Sequence, residues 1–121
     1  MYSITNILSV QKCRDNPNTV FVFGDNLIGR GKRGQAVIRD EPNAFGIPTK
    51  RLPSMREGSF FSEQQDEYIA VDAAIDKLID MRKNGYQIVF PSSGVGTGLA
   101  EMSKRSPKLW SHMMIRINKE I

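Results

Sequence analysis

The stretch Gln87-Ile88-Val89-Phe90-Pro91-Ser92-Ser93-Gly94-Val95-Gly96-Thr97-Gly98 joins a short apolar run directly to a glycine-rich loop. An earlier stretch repeats this arrangement, because the apolar run at residues 19–23 leads into Gly24-Asp25-Asn26 and then Gly29, Gly31 and Gly34. Short runs of β-branched and aromatic residues that end at turn residues are typical of buried strands. The two stretches therefore predict two strands whose following loops are mostly bare backbone.

Loops of this kind favour an anionic ligand. Glycine permits positive φ and lets main-chain N–H groups approach a ligand closely. Clustered N–H groups bind phosphate or pyrophosphate, and ligands of open α/β sheets lie beyond the carboxyl ends of the strands. We therefore expect residues 24–36 and 92–100 to form the two sides of one cleft for a nucleotide-like ligand.

The rest of the chain predicts helices that alternate with strands. A weak helical pattern covers residues 5–13, a short helix is predicted over residues 34–40, and further strands are predicted over residues 44–49 and 87–90. Ser62 and Gln65 have the spacing of a capping box that opens the longest helix, which Asn84-Gly85 ends. Ser106-Pro107 opens the last helix. Pro48 places its strand at a sheet edge or a strand end, because proline cannot donate to a ladder.

This alternation predicts the fold class. Strands that alternate with helices are typical of α/β proteins. We expect one domain over residues 1–121, built as a three-layer α/β/α sandwich with a mixed, mostly parallel sheet.

Composition excludes several classes of protein. The chain has 121 residues, a single cysteine and a single histidine. One cysteine excludes an internal disulfide framework and fits a reducing compartment, and Cys13 with His112 offers no transition-metal ligand set. No apolar stretch approaches the ~18 residues of a membrane span, and the N-terminus has no secretory leader pattern. We expect a cytoplasmic protein without a membrane partner, a metal or a cofactor.

The positive charge is clustered, and the sequence leaves three interpretations open. The net charge is +4, and basic residues gather near residues 30–39, 50–56 and 104–108. The clusters fit solvated loops, a nucleic-acid surface, or cations around a small anionic ligand. We favour the small ligand, because two of the clusters adjoin the glycine loops.

Several single residues also have two interpretations. Asp25 and Asn26 either turn the chain or hold a hydroxyl or base edge of the ligand. Lys50 is either a solvated cation or a group that faces phosphate or attacks an electrophilic carbon. Glu101 is either a helix N-terminal charge or a site residue. Phe60-Phe61 is either core or a mobile pair that stacks on a base.

The residues also resemble a known family, the macro domains that bind ADP-ribose. Residues 90–99 are similar to the family's strand and G-[TC]-G loop, which binds the diphosphate and distal ribose. Asn26 falls close to the sequence position of the asparagine that holds the distal ribose in that family. The branch that removes ADP-ribose from acidic side chains is the most similar, since Lys50 matches its lysine. The branch's aspartate position is Ala100 here, with Glu101 one step later. The small size also resembles small bacteriophage proteins.

The resemblance implies a trimmed macro-like domain that binds ADP-ribose or a related nucleotide. It leaves open whether the domain also hydrolyses an ADP-ribosyl linkage or a terminal phosphate. The alternatives are a non-catalytic reader of ADP-ribosylated macromolecules, a sink for a nucleotide signal, and a nucleic-acid-binding protein. The implied catalytic residues are Asn26, Lys50 and Glu101. From the loops and the resemblance together, the expected ligand-binding residues are Gly24, Asp25, Asn26, Gly29, Gly31, Gly34, Gln35, Phe60, Phe61, Ser92, Ser93, Gly94, Val95, Gly96, Thr97, Gly98 and Leu99.

Overall fold

A four-stranded parallel sheet forms the centre of the protein. The structure is a computed structural model that describes residues 2–121, with strands β1 (Ser3–Thr5), β2 (Thr19–Asn26), β3 (Ala44–Lys50) and β4 (Gln87–Pro91). Within those residues the strand order is β1-β4-β2-β3, and every neighbouring pair is parallel. The α/β class is therefore confirmed. The expected mixed sheet is wrong, since the antiparallel pairing in the described chain is one isolated bridge outside the strand ladders, between Lys50 and Phe60.

Helical segments cover both faces of this sheet. The helices are α1 (Val10–Asp15), α2 (Gln65–Lys83), α3 (Met102–Arg105) and α4 (Pro107–Glu120), with two 3-10 turns at Gly34–Ile38 and Glu57–Ser59. Alternate strand residues point to opposite faces. Val20 and Val22 accordingly pack with α2 and α4 in the larger core. Phe21 and Phe23 pack with α1 and the first 3-10 turn in a smaller core. This arrangement is compatible with an α/β sandwich.

The N-terminal segment differs from the sequence expectation. The helix predicted over residues 5–13 begins only at Val10, where the hydroxyl of Ser9 accepts a hydrogen bond from the backbone N of Lys12 at 3.1 Å. Residues 3–5 instead pair with β4, with Ser3 beside Val89. Tertiary pairing thus overrides a weak helical pattern. Pro48, by contrast, lies in β3, which is an edge strand as predicted.

The caps of the two long helices also differ from the expected ones. The capping box of α2 joins Gln64 and Glu67 rather than Ser62 and Gln65, because the Glu67 carboxylate reaches the backbone N of both Ser62 and Gln64, at 2.8 and 3.0 Å. Pro107 does begin α4, but the Ser106 hydroxyl has no partner in the described chain.

The topology creates a crevice between β2 and β4. After β2 the chain turns to the face of the smaller core, whereas after β4 it turns to the face of α4. Neighbouring parallel strands whose connections leave in opposite directions open a crevice at their carboxyl ends, where α/β proteins bind ligands. No helix in the described part of the chain is long and apolar enough to cross a membrane.

Candidate functional site

A cavity of about 700 Å³ occupies this crevice. Its wall comes from three segments: residues 24–39 at and after the end of β2, residues 49–55 at the end of β3, and residues 96–100 after β4. The volume lies in the range of small-molecule sites. Both glycine loops therefore contribute to one cavity.

Asn26 organises the first glycine loop. Its side chain is buried, and its Oδ1 accepts hydrogen bonds from the backbone N of Ile28 and Arg30 at 3.2 and 3.4 Å. Its Nδ2 donates to the carbonyl of Arg30 at 2.7 Å. The amide is thus engaged on both sides within the loop, and it fixes the shape of the cavity wall.

Asp25 and Arg39 form a second brace of the same loop. The Asp25 carboxylate accepts from Arg39 Nη2 at 2.6 Å, and the same guanidinium donates to the carbonyls of Arg30 and Gly31. Gly46 on the neighbouring strand makes room for this carboxylate, because a Cβ there would lie 2.5 Å from Asp25 Oδ2. The ion pair therefore depends on a glycine outside the glycine-rich loops.

Two runs of backbone N–H groups without a protein acceptor lie at the cavity, which is lined by all of residues 31–35 and by four of residues 95–100. Among the described residues, the N–H groups of residues 31–35 and 95–100 donate to no hydrogen-bond acceptor. The carbonyls of Arg30 and Gly31 in the first loop, by contrast, accept hydrogen bonds from the side chains of Asn26 and Arg39. Successive free N–H groups in glycine-rich turns form concave anion sites.

Gly96 packs closely against the helices that follow the second loop. Its φ is +82°, and a Cβ there would lie 3.0 Å from Met102 Sδ and 3.3 Å from Trp110 Cδ1. Both the backbone conformation and the contact exclude a larger residue. The backbone of this loop is thereby packed directly on α3 and α4.

The charge of the cavity wall is strongly positive. Two of the lining cations are paired with carboxylates, Arg39 with Asp25 and Lys32 with Asp40. The other three form no ion pair with any described residue, and Asp25 is the single carboxylate among the lining residues. The five lining cations are Arg30, Lys32, Arg33, Arg39 and Lys50.

Lys50 differs from the other cations because it is buried. Its Nζ donates to the carbonyl of Ser54, and it lies 4.7 Å from the ring centroid of Phe60. Burial lowers the pKa of Lys50; the charge of Glu101 opposes this shift and that of Arg105 adds to it. The amine therefore has a larger neutral fraction at a given pH than an exposed lysine.

The structure brings together about half of the sequence-predicted site residues. Those that line the cavity are Gly24, Asp25, Asn26, Gly31, Gly34, Gln35, Lys50, Gly96, Gly98 and Leu99. Those that do not line it are Gly29, Phe60, Phe61, Ser92, Ser93, Gly94, Val95, Thr97 and Glu101. Val95 is 1% exposed and belongs to the core, whereas Glu101 pairs with Arg105 at 3.1 Å.

Phe60 and Phe61 are core residues, and the hypothesis of a mobile stacking pair does not fit their position. They are 4% and 1% exposed. The Phe60 ring lies 3.7 Å from the guanidinium carbon of Arg105. Phe61 packs in the larger core against α2 and α4.

Nine lining residues were not predicted individually as site residues. Five of them lie within residues 24–36 and 92–100, which were predicted to form the cleft, and the basic residues were predicted to surround an anionic ligand without being assigned to it one by one. Thr49 follows from topology alone, since the carboxyl end of β3 lies beside that of β2. Pro53 and Met55 lie in an irregular segment, and no sequence pattern indicates that this segment lines the cavity. The nine are Arg30, Lys32, Arg33, Ala36, Arg39, Thr49, Pro53, Met55 and Ala100.

A second, smaller cavity of about 430 Å³ lies beside Val20 and Asn43, near the opposite ends of the strands. Cys13 and Tyr86 also line it. None of the sequence-predicted site residues does, so this cavity serves as an internal reference for binding experiments.

Comparisons with known proteins identify a family but not an activity. A search of curated proteins and a search of solved structures each return no match. A family model described as a family of unknown function, DUF7831, matches residues 3–116, which is most of the chain. The chain therefore belongs to the DUF7831 family.

Proposed function

We propose that the cavity between the two glycine loops binds ADP-ribose or a related nucleotide with a diphosphate. One observation carries the proposal: two runs of acceptor-free N–H groups, at residues 31–35 and 95–100, belong to segments that line a single cavity, whose wall holds five cations and one carboxylate. Anions are stabilised by oriented N–H groups and by cations together. A diphosphate supplies two adjacent anionic groups, one for each loop.

The remaining wall suits the uncharged parts of such a ligand. Pro53, Met55 and Leu99 line the cavity, and Met55 and Leu99 are 56% and 59% exposed. Exposed apolar side chains at a polar cavity offer contact surface to a base or sugar ring. Asp25 and Asn26 hold the first loop in place and are not needed as direct ligand contacts.

The ion pairs of the carboxylates near the cavity favour binding without catalysis. Hydrolysis commonly uses a free carboxylate as general base. Asp25 is bound by Arg39, and Glu101 is paired with Arg105 away from the cavity wall. The protein then acts as a reader or a sink of the nucleotide.

Release of ADP-ribose from an acidic side chain is the second candidate, and the buried Lys50 favours it. A neutral amine is a nucleophile, and burial lowers the pKa of this one. Lys50 Nζ would attack the anomeric carbon, the carboxylate would leave with the bonding electrons, and water would then hydrolyse the adduct.

Ligand titration of two glycine variants tests the binding proposal. Gly98 lines the cavity and Gly58 does not, while neither has a positive φ or a neighbour within 4 Å of an added Cβ. A ligand at a hundred times its dissociation constant should stabilise the wild type by about 2.7 kcal/mol. We expect ADP-ribose to stabilise the wild type and Gly58→Leu equally, and Gly98→Leu much less.

Two results would count against the proposal. One is the absence of stabilisation by ADP-ribose in the wild type. The other is equal stabilisation of both variants. Retention of an oligonucleotide that ADP-ribose does not displace would favour nucleic-acid binding instead. Release of ADP-ribose from a modified protein by the wild type, but not by Lys50→Met, would establish the hydrolase.

A further inference from the structure

The Gln35 side chain bridges the two sides of the cleft. Its Oε1 accepts a hydrogen bond from the backbone N of Gly24 at 2.9 Å, at the end of β2. Its Nε2 donates to the carbonyl of Gly94 at 2.8 Å, at the start of the second loop. One amide thus joins three segments: β2, the first 3-10 turn 11 residues later, and the second glycine loop 59 residues beyond Gln35.

The chemistry of the bridge requires an amide in this orientation. The Gly24 N–H can only donate and the Gly94 carbonyl can only accept, so the oxygen and nitrogen of Gln35 are fixed by their partners. A carboxylate at this position would keep the first bond and lose the second. An aliphatic side chain of similar size would lose both.

The bridge lies where the two sides of the cleft are close to each other. A Cβ added at Gly24 would lie 3.5 Å from Gln35 Oε1 and 3.8 Å from the backbone N of Gly96. Gly96 N belongs to the second run of free N–H groups, and Gln35 N to the first. Gln35 belongs to the first run, and its side chain bonds to Gly94 just before the second run, so this residue connects the two N–H runs.

We propose that Gln35 is the positioning residue that sets the separation of the two N–H runs, and thereby selects ligands long enough to contact both; this inference rests on the proposed function. Gln35 then acts through the geometry of the loops, although sequence reasoning assigned it to the ligand. Ligands that touch only one run do not depend on this separation.

Selectivity is the first test. In Gln35→Leu we expect the affinity for ADP-ribose to fall about tenfold, and that for AMP to change less than about twofold. Gln35→Met serves as a second variant if the first does not fold. Gln11→Leu is the matched control, because its amide donates only to Asp15 on the surface of α1. Equal losses for both ligands, or no loss for either, would overturn the inference.

Amide exchange without ligand is the second test, and it decides the inference even if no nucleotide binds. The N–H of Gly94 donates to Pro91 O at 2.9 Å, and that of Met102 donates to Gly96 O at 2.8 Å. Both bonds hold the second loop, so their exchange should accelerate about tenfold in Gln35→Leu and not in Gln11→Leu. Unchanged exchange at both amides would overturn the positioning role. Failure of the wild type to bind ADP-ribose would overturn only the proposed function.

Discussion

Replacement of Gly46 by alanine should destabilise the protein by displacing Asp25. An alanine Cβ at this position would lie 2.5, 2.7 and 2.9 Å from Asp25 Oδ2, Cβ and Cγ. Rotation of the Asp25 side chain cannot relieve the contact with its own Cβ, so β2 and β3 must shift apart. Overpacking of this kind costs about 1–3 kcal/mol, and the fixed Cβ favours the upper end. At about 4 °C per kcal/mol, the melting temperature should fall by roughly 10 °C.

Urea and thermal unfolding measure this effect, with Gly58→Ala as the control. An added Cβ at Gly58 meets nothing within 4 Å, so we expect its stability to remain within about 0.5 kcal/mol of the wild type. Displacement of Asp25 would also release Arg39 from the first loop, and ADP-ribose affinity should fall in Gly46→Ala alone. If Gly46→Ala were as stable as Gly58→Ala, the account of the Asp25 brace would be wrong.

Two pH-dependent predictions follow from shifted pKa values. Burial lowers the pKa of Lys50 from 10.5, so the unfolded chain holds more protons between the folded and unfolded pKa values, and stability rises with pH across that window. Urea unfolding should show this rise in the wild type and a flatter profile in Lys50→Met; parallel profiles would contradict it. Burial opposes the downward shift of the Asp72 pKa from 3.8, but hydrogen bonds from His112 and Arg116 prevail. Asp72→Asn should therefore be less stable than the wild type near neutral pH, with the difference vanishing as acid protonates Asp72; a constant difference down to low pH would refute this.

Three of the four described strands and the two long helices were predictable because local signals mark them. Apolar runs bounded by turn residues predicted β2, β3 and β4. The apolar stripe predicted α2, whose C-cap is Asn84, followed by Gly85 with φ +96°. β1 was missed because three residues carry too little pattern, and their pairing with β4 is a long-range contact. The α2 cap moved by two residues because a buried Glu67 reaches back to it.

The cleft was predictable only in part. Parallel strands bring their following loops to one sheet edge, so the two glycine loops could be placed together from the chain alone. The bracing of the first loop by Arg39 was not predictable, because it depends on space left by Gly46 on another strand. The sequence left Phe60 open between core and a mobile stacking residue, because the cations Lys50 and Arg105 that lie over its ring come from other segments of the chain.

A backbone amide titration is the most direct test of the nucleotide cleft. With ADP-ribose added to isotope-labelled protein, we expect the N–H resonances of residues 31–35 and 95–100 to shift together, along one binding curve. Resonances around Cys13 and Tyr86, in the smaller cavity, should stay in place. Shifts confined to one loop, or to the smaller cavity, would contradict the account.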